Sequence, residues 1–438
     1  MTTTSEAILA ARLALIVGPN HLLAAPSLTV EGLRPAFSVS PGTLEEAAQI
    51  LQVAAEVGAA VTPWGGGTQQ RIGAPPGRLD IVLRTERLNA IVEWEPADLT
   101  ACLQAGMTLG TVQAALAERG QQIPIDAPLA SRATLGGLVA TNSAGPRRWL
   151  SGGWRDQIIG MHMALPNGSL IKSGGRVVKN VQGYDLGKLF TGSLGTLGLI
   201  GQVNVKLVPL PAVRRLLVVR GDLHPVADLI EHVAASTLRL STLDLLDSVA
   251  AQGCGLSGGG YAALLLVEGG RTLVDAQSLR VEQMARADGL SCLAVDEEAL
   301  APIWQTWLDL GRTDDLSPCE ALFTVSTLPA EVAEVLHAFT LETATHELEG
   351  RCWARAGNGL VYARLTARTG SAANALAAAQ LALLERWPST TLVAGDPAVE
   401  RAARPWGNDP ESLPVMRALK QRFDPAGILQ PGRYIGGI

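Results

Sequence analysis

Three glycine-rich stretches lie between Gly65 and Ile200, and each could offer main-chain N–H groups at close range. Gly65-Gly66-Gly67-Thr68-Gln69 follows a short apolar segment. Residues without a Cβ let several backbone donors converge on one point, as a pyrophosphate with its two negative charges requires. Taken singly, a glycine triplet is as often a mobile loop. The second stretch runs Ala133-Thr134-Leu135-Gly136-Gly137-Leu138-Val139-Ala140-Thr141-Asn142-Ser143-Ala144-Gly145. Small residues, hydroxyls and an amide alternate there; as one extended segment they would line a flat aromatic ligand, and otherwise they read as a tightly packed helix start. Gly192-Ser193-Leu194-Gly195-Thr196-Leu197-Gly198 is neither a Walker loop, lacking Gly-Lys-Ser/Thr, nor a Rossmann fingerprint opening a helix. Its plain reading is a tight turn before a strand. Three such loops in this order are harder to dismiss than any one of them.

The surrounding pattern supplies the elements that would position these loops. Thr43-Leu44-Glu45-Glu46 is a capping box opening a helix that carries Leu44, Ala47, Ile50, Leu51 and Ala54 inward and stops at Gly58. A strand over 59–62 runs into the first loop, and further strands are expected at 80–83, 90–94 and 99–105. Thr108 caps a helix to Arg119, and 157–165 with 169–173 form a hairpin about Pro166-Asn167-Gly168. Ile200, Val203, Val205 and Leu207 mark a strand with one buried face. Beyond Pro209 and Pro211 glycine motifs give way to Ala/Leu helices such as 371–386, alternating with strands at 215–219, 262–268 and 360–366. The fold class is therefore α+β. Four segments are expected: an N-terminal helical segment at 1–35, a ligand-binding domain at 36–213, a smaller antiparallel α+β domain at 214–400 and a tail at 401–438.

Bulk properties remove several function classes. The 438 residues are 47% hydrophobic and 17% charged, which suits a compact chain with a large interior. A net charge of −6, with basic residues paired rather than in tracts, disfavours a nucleic-acid partner. No apolar run approaches the roughly 18–20 residues of a membrane-spanning helix. Glu6 and Arg12 argue against a secretion signal; Leu9, Leu13 and Ile16, after Ser5 as an N-cap, read as a short amphipathic helix. Five cysteines without a Cys-x-x-Cys pair read as buried reduced thiols, not an iron–sulfur or zinc site.

Gly-Gly-Gly-Thr, then Thr-Leu-Gly-Gly with Ala-Thr-Asn-Ser-Ala-Gly, then Gly183-Tyr184-Asp185-Leu186 with Gly-Ser-Leu-Gly-Thr-Leu-Gly, resemble the FAD-binding domain of the FAD-linked oxidase (vanillyl-alcohol oxidase-type, PCMH-type) family over about 36–213. The tail Phe423-Asp424-Pro425-Ala426-Gly427-Ile428-Leu429-Gln430-Pro431-Gly432-Arg433 resembles the family's C-terminal signature, with Gln430 in place of the usual Asn. The resemblance is nearest to FAD-binding subunits of the glycolate-oxidase type. It implies a two-subdomain FAD-binding domain, a cap domain over the substrate, and a tail returning to the FAD domain. The FAD contacts it implies are Gly65, Gly66, Gly67, Thr68, Gln69, Pro128, Thr134, Gly136, Gly137, Thr141, Ser143, Gly145, Gly198 and Ile200. No His or Cys lies in the first or middle loop, so the FAD is expected to be non-covalent.

The pattern departs from catalytic relatives in the cap. Those acting on 2-hydroxy acids carry His-x-Gly-Asp-Gly-Asn-x-His, supplying metal ligands and a base; the corresponding run here is Arg355-Ala356-Gly357-Asn358-Gly359-Leu360-Val361-Tyr362. Arg cannot ligate a cation and Tyr, with a pKa near about 10, poorly replaces imidazole, so no metal is expected. Arg355 and Tyr362 are the catalytic candidates, with Arg364 a possible carboxylate ligand; a salt-bridged strand face is the competing reading. The six histidines lie outside any motif and read as surface or packing residues. The resemblance then implies a cytoplasmic FAD-binding subunit of a 2-hydroxy-acid dehydrogenase complex. A homologous catalytic flavoprotein and an iron–sulfur subunit would be its partners, holding it at the inner face of the membrane. The alternatives are a self-sufficient FAD oxidoreductase with a metal-free site and a non-catalytic assembly subunit.

Overall fold

The computed structural model describes residues 3–176, 183–368 and 372–438. Two compact units emerge: the chain to Ser143 with Gly153–Pro209 and Asp409–Ile438 makes the first, and Ala144–Gly152 with Leu210–Asn408 the second. The chain passes between the units after Pro209 and again after Asn408. The short excursion Ala144–Gly152, which no sequence pattern announced, belongs with the second unit.

In the first unit, strands Leu22–Ala24, Phe37–Val39, Ile81–Arg84 and Val61–Trp64 form one sheet in that order. The two flanking Ile81–Arg84 run parallel to it, because a helix returns the chain between them. That helix is Leu44–Val57, where Thr43 Oγ1 accepts the Glu46 N–H at 3.1 Å and Gly58 ends the helix at φ 69°. The Glu46 carboxylate takes the N–H of Gly42, at 2.6 Å, rather than that of Thr43. Ile50, Leu51 and Ala54 pack on Val61 and Ile81, joined by Leu9 and Leu13 of the N-terminal helix Thr3–Val17. This helix begins before Ser5, which therefore lies inside it and is not its cap.

A second, antiparallel sheet has the order Ile91–Glu95, Thr100–Gln104, Leu199–Lys206, Ile158–Ala164, Leu170–Gly174. Its hairpin turns at Gly168, φ 81°, whose N–H reaches the Leu165 carbonyl at 3.0 Å. The C-terminal segment returns to the first sheet: Leu429 bridges Val61 in parallel, Val61 N–H donates to Ile428 O at 2.7 Å, and Gln430 N–H donates to Val61 O at 3.1 Å.

The second unit is built on an eight-stranded sheet whose neighbouring strands all pair antiparallel. Alternation along Val213–Gly221 sends Leu217 and Val219 to one face and Leu216 and Val218 to the other. The first face is covered by helices Leu223–Ala234, Arg271–Ala287, Val332–Thr345 and Ala372–Arg386, the last expected from Ser371, which lies outside the described residues. Trp307 of Glu297–Asp309 packs on the second. Arg147 holds the excursion to this unit, forking onto Glu268 at 3.0 and 2.6 Å with its guanidinium 4.5 Å from the Trp304 ring centre.

Among the described residues, no helix is long and apolar enough to cross a membrane, and no group of three His, Cys, Asp or Glu is placed to hold a metal. All five cysteines are free; Cys102, Cys254 and Cys352 are buried, whereas Cys292 and Cys319 are only partly so.

Candidate cofactor site

The glycine stretches meet in the first unit because each needs what another supplies. Gly65 lies so close to the second stretch that a Cβ on it would fall 2.0 Å from Thr134 Oγ1, and one on Gly66 would fall 1.8 Å from the Arg132 carbonyl oxygen. A side chain at Gly66 would push the two loops apart, and one at Gly65 would displace the Thr134 side chain. Gln69 closes the contact at the other end, its side-chain carbonyl accepting from the Thr141 hydroxyl. Gly67 has φ 69°, a backbone that L side chains rarely adopt, and a Cβ there would also meet the Trp64 ring.

The second stretch is a helix, Leu135–Thr141, and not the extended segment one reading of it required. Its glycine pair has low intrinsic helix propensity, but tertiary packing demands it: a Cβ on Gly136 would come within 2.9 Å of the Ala105 side chain and 3.1 Å of its carbonyl. Thr134 caps it through Gly137 N–H, and Asn142 ends it in the left-handed conformation. A helix end leaves carbonyls free to accept from outside the helix, and the third loop bonds to two of them. Gly192 N–H donates to Val139 O at 3.0 Å and Leu194 N–H to Ala140 O at 2.8 Å.

The result is one cleft lined by parts of all three glycine stretches and by the C-terminal segment. Of the expected contacts, Gly65, Gly66, Gly67, Thr68, Gln69, Thr134, Gly136, Gly137, Thr141, Gly198 and Ile200 line it. Pro128 and Ser143 do not; Ser143 belongs to the helix-ending turn, donating its N–H to Leu138 O and accepting from Trp154 Nε1 at 2.8 Å. Gly145 lies in the second unit.

Residues outside the expected contacts also line the cleft: Trp64, Gln70, Thr85, Leu194, Gly195, Gln430 and Arg433. The tail contributes the last two. Gln430, at the position where the signature usually has Asn, accepts from the Thr62 hydroxyl at 3.1 Å and donates to the Leu194 carbonyl at 3.4 Å, so it ties the first sheet to the third loop. Lys420 donates to the carbonyls of Thr196 (2.9 Å) and Leu429 (2.7 Å) and pairs with the buried Asp424 at 2.7 Å. Burial pushes the Lys420 amine below its ordinary pKa, while Asp424 pulls it back toward the charged form.

FAD suits this cleft. Glycines line it where a Cβ would collide with the neighbouring loop, ring or strand, and no His or Cys stands among the described lining residues to bond a flavin covalently.

In the second unit, Arg355 is 5% exposed and bonded to Asp244, whose carboxylate also accepts from Trp307 Nε1 at 2.7 Å. The Tyr362 ring stacks on Trp353, centroids 5.3 Å apart and planes 9° from parallel. Arg364 is held by Glu320 at 2.7 Å and Asp315 at 3.0 Å. Against the opposing cost of burial, that guanidinium keeps the Glu320 carboxyl below its ordinary pKa.

Comparison with known proteins agrees with this geometry. Residues 35–174 match the profile of the FAD binding domain, and residues 400–434 that of the C-terminal domain of FAD linked oxidases. Glycolate oxidase subunit GlcD of Bacillus subtilis is 28% identical, over 91% of this chain and 88% of its own length. Glycolate oxidase subunit GlcE of Escherichia coli is 37% identical over 34% of this chain and 42% of its own length. The structure of p-cresol methylhydroxylase superposes with a TM-score of 0.78 at 14% identity, covering 99% of this chain and 97% of that one, a likeness of fold. The chain carries an FAD binding domain and the C-terminal domain of FAD linked oxidases. It is an FAD-dependent oxidoreductase with a PCMH-type FAD-binding domain, an antiparallel α+β cap domain and a C-terminal segment that returns to the FAD domain.

Proposed function

We propose that the chain is the FAD-binding subunit of a glycolate-oxidase-like complex that dehydrogenates small 2-hydroxy acids, with substrate oxidation assigned to a homologous flavoprotein partner and electrons leaving through an iron–sulfur subunit. Likeness to two differently named subunits of glycolate oxidase supports the complex. One observation carries the division of labour. The cofactor cleft is fully built, whereas Arg355 and Tyr362, where catalytic relatives place histidines, are committed to Asp244 and Trp353.

Bound FAD supplies a two-electron acceptor. The chain's own part is to hold it: the glycine loops bring amides to its phosphates, and Thr134, Thr141 and Gln69 fix the walls against which its ring would lie. Removing the alcohol proton of a 2-hydroxy acid calls for a base with a pKa near neutrality. A guanidinium salt-bridged to Asp244 cannot serve, and a phenol is a poor substitute. Anaerobic mixing with glycolate or D-lactate tests the reading: the chain alone should keep its oxidised flavin spectrum, and bleaching should need the partner. Turnover by the lone chain, abolished by Arg355→Ala, would overturn it in favour of a self-sufficient enzyme.

A further inference from the structure

A cavity in the second unit is lined by two guanidinium groups, Arg351 and Arg364, which stand directly opposite each other on the paired strands Leu348–Arg355 and Leu360–Ala367. Like charges in that register repel. Arg364 is compensated: Glu320 takes its fork at 2.7 and 3.0 Å, and Asp315 accepts from its remaining nitrogen at 3.0 Å. Arg351 is not matched in the same way. Among the described residues it makes no hydrogen bond or ion pair, and its Nε is closed off from solvent without a partner. Burial and the Arg364 charge push its pKa down; Glu320 and Asp315 pull the other way from beyond contact range, and the net shift is below the ordinary arginine value.

The other carboxylates that line the cavity are committed elsewhere. Asp247 accepts the N–H of Cys352 at 2.6 Å and that of Ala250 at 2.7 Å, capping the helix Ser248–Gly253, and Glu349 pairs with Arg368. Ser248, Tyr261 and Thr366, each with a hydroxyl, also line the cavity. A guanidinium forks onto a planar carboxylate as readily as onto a phosphate. Asp247, Glu320 and Glu349 repel a dianion more strongly than a monoanion, which favours the carboxylate.

We propose that Arg351 binds the carboxylate of a small organic acid in this cavity, a site built wholly within the second unit. The site depends neither on FAD nor on which subunit oxidises the substrate.

Acetate and D-lactate are titrated into the full chain at constant ionic strength, with chloride as the balancing anion and inorganic phosphate as the dianion. Heat of binding and thermal midpoint are recorded for the unaltered chain, Arg351→Gln and Arg351→Lys. Either acid should raise the midpoint of the unaltered chain. Arg351→Gln should bind the acids at least about tenfold more weakly, and Arg351→Lys, which keeps the charge without the fork, should fall between. Without acid, Arg351→Gln should melt at or above the unaltered chain, because it removes a repulsion. A lower midpoint there would make Arg351 a structural cation and overturn the proposal. So would unchanged acid affinity in Arg351→Gln, no response of the unaltered chain to either acid, or an effect that chloride or phosphate reproduces in full.

Discussion

Replacing Gly66 by Ala places a methyl group 1.8 Å from the Arg132 carbonyl oxygen, where ordinary Cβ contacts begin near 3.4 Å, so one loop must retreat by the difference, 1.6 Å. The obstacle is main chain, held by Arg132 N–H donating to Leu129 O at 2.8 Å, so no side-chain rotation relieves it. An amide 2.9 Å from a phosphate oxygen is out of hydrogen-bond range after such a shift. Two charge-assisted bonds at about 1.5–3 kcal/mol each make the loss about 3–6 kcal/mol, which weakens FAD binding by about 10²-fold or more. Gly65→Ala should cost less, because its nearest obstacle, Thr134 Oγ1 at 2.0 Å, belongs to a side chain that can turn. Gly311→Ala, with nothing within 4 Å and an ordinary φ, should leave binding unchanged. Titrating FAD into the three apoproteins, with thermal midpoints measured alongside, gives the ranking. An unaltered affinity in Gly66→Ala would refute the claim that the first two loops must touch to hold the cofactor.

Glu268→Gln removes the carboxylate onto which Arg147, its side chain 11% exposed, forks, and should lower stability by up to about 3–5 kcal/mol at neutral pH, read from denaturant unfolding. Burial alone would raise the Glu268 pKa, but bonding and charge from Arg147 outweigh it and the net shift is downward. The stabilisation is therefore complete above the unfolded glutamate value of about 4.3 and is lost as pH falls through the lower folded value. The variant should lack that part of the acid dependence. Lys420→Met leaves the buried Asp424 without its cation and two carbonyls without a donor; a lower thermal midpoint together with weaker FAD retention on gel filtration is expected. Cys254, buried and pushed up to about 11, should resist iodoacetamide at neutral pH until the chain is unfolded, as peptide mapping of the labelled protein would show.

Local chemistry made much of the first unit legible. Thr43 and Gly58 bound a helix through signals a few residues apart, and the turn at Gly168 sets the hairpin register, Ala164 opposite Leu170. What escaped reading depends on partners far along the chain. Gln430 meets Thr62 across 368 positions and Arg147 meets Glu268 across 121, and no periodicity announces either pair. The middle glycine stretch could be read as extended because its composition disfavours a helix; the backbone of Ala105, which only glycine lets it approach, decides otherwise. Arg355 read as a carboxylate ligand or, the more favoured reading, as part of a salt-bridged strand face; Asp244, 111 positions away, is the partner that no sequence pattern named.

The most direct test of the account is the flavin content of the purified chain. Denaturation should release one FAD per chain, free in the supernatant and intact as the dinucleotide, and the colourless apoprotein should recover its visible spectrum on adding FAD. A chain that purifies colourless and takes up no FAD, or one that keeps its flavin bound after denaturation, would contradict a cleft built from three glycine loops to hold the cofactor without a covalent bond.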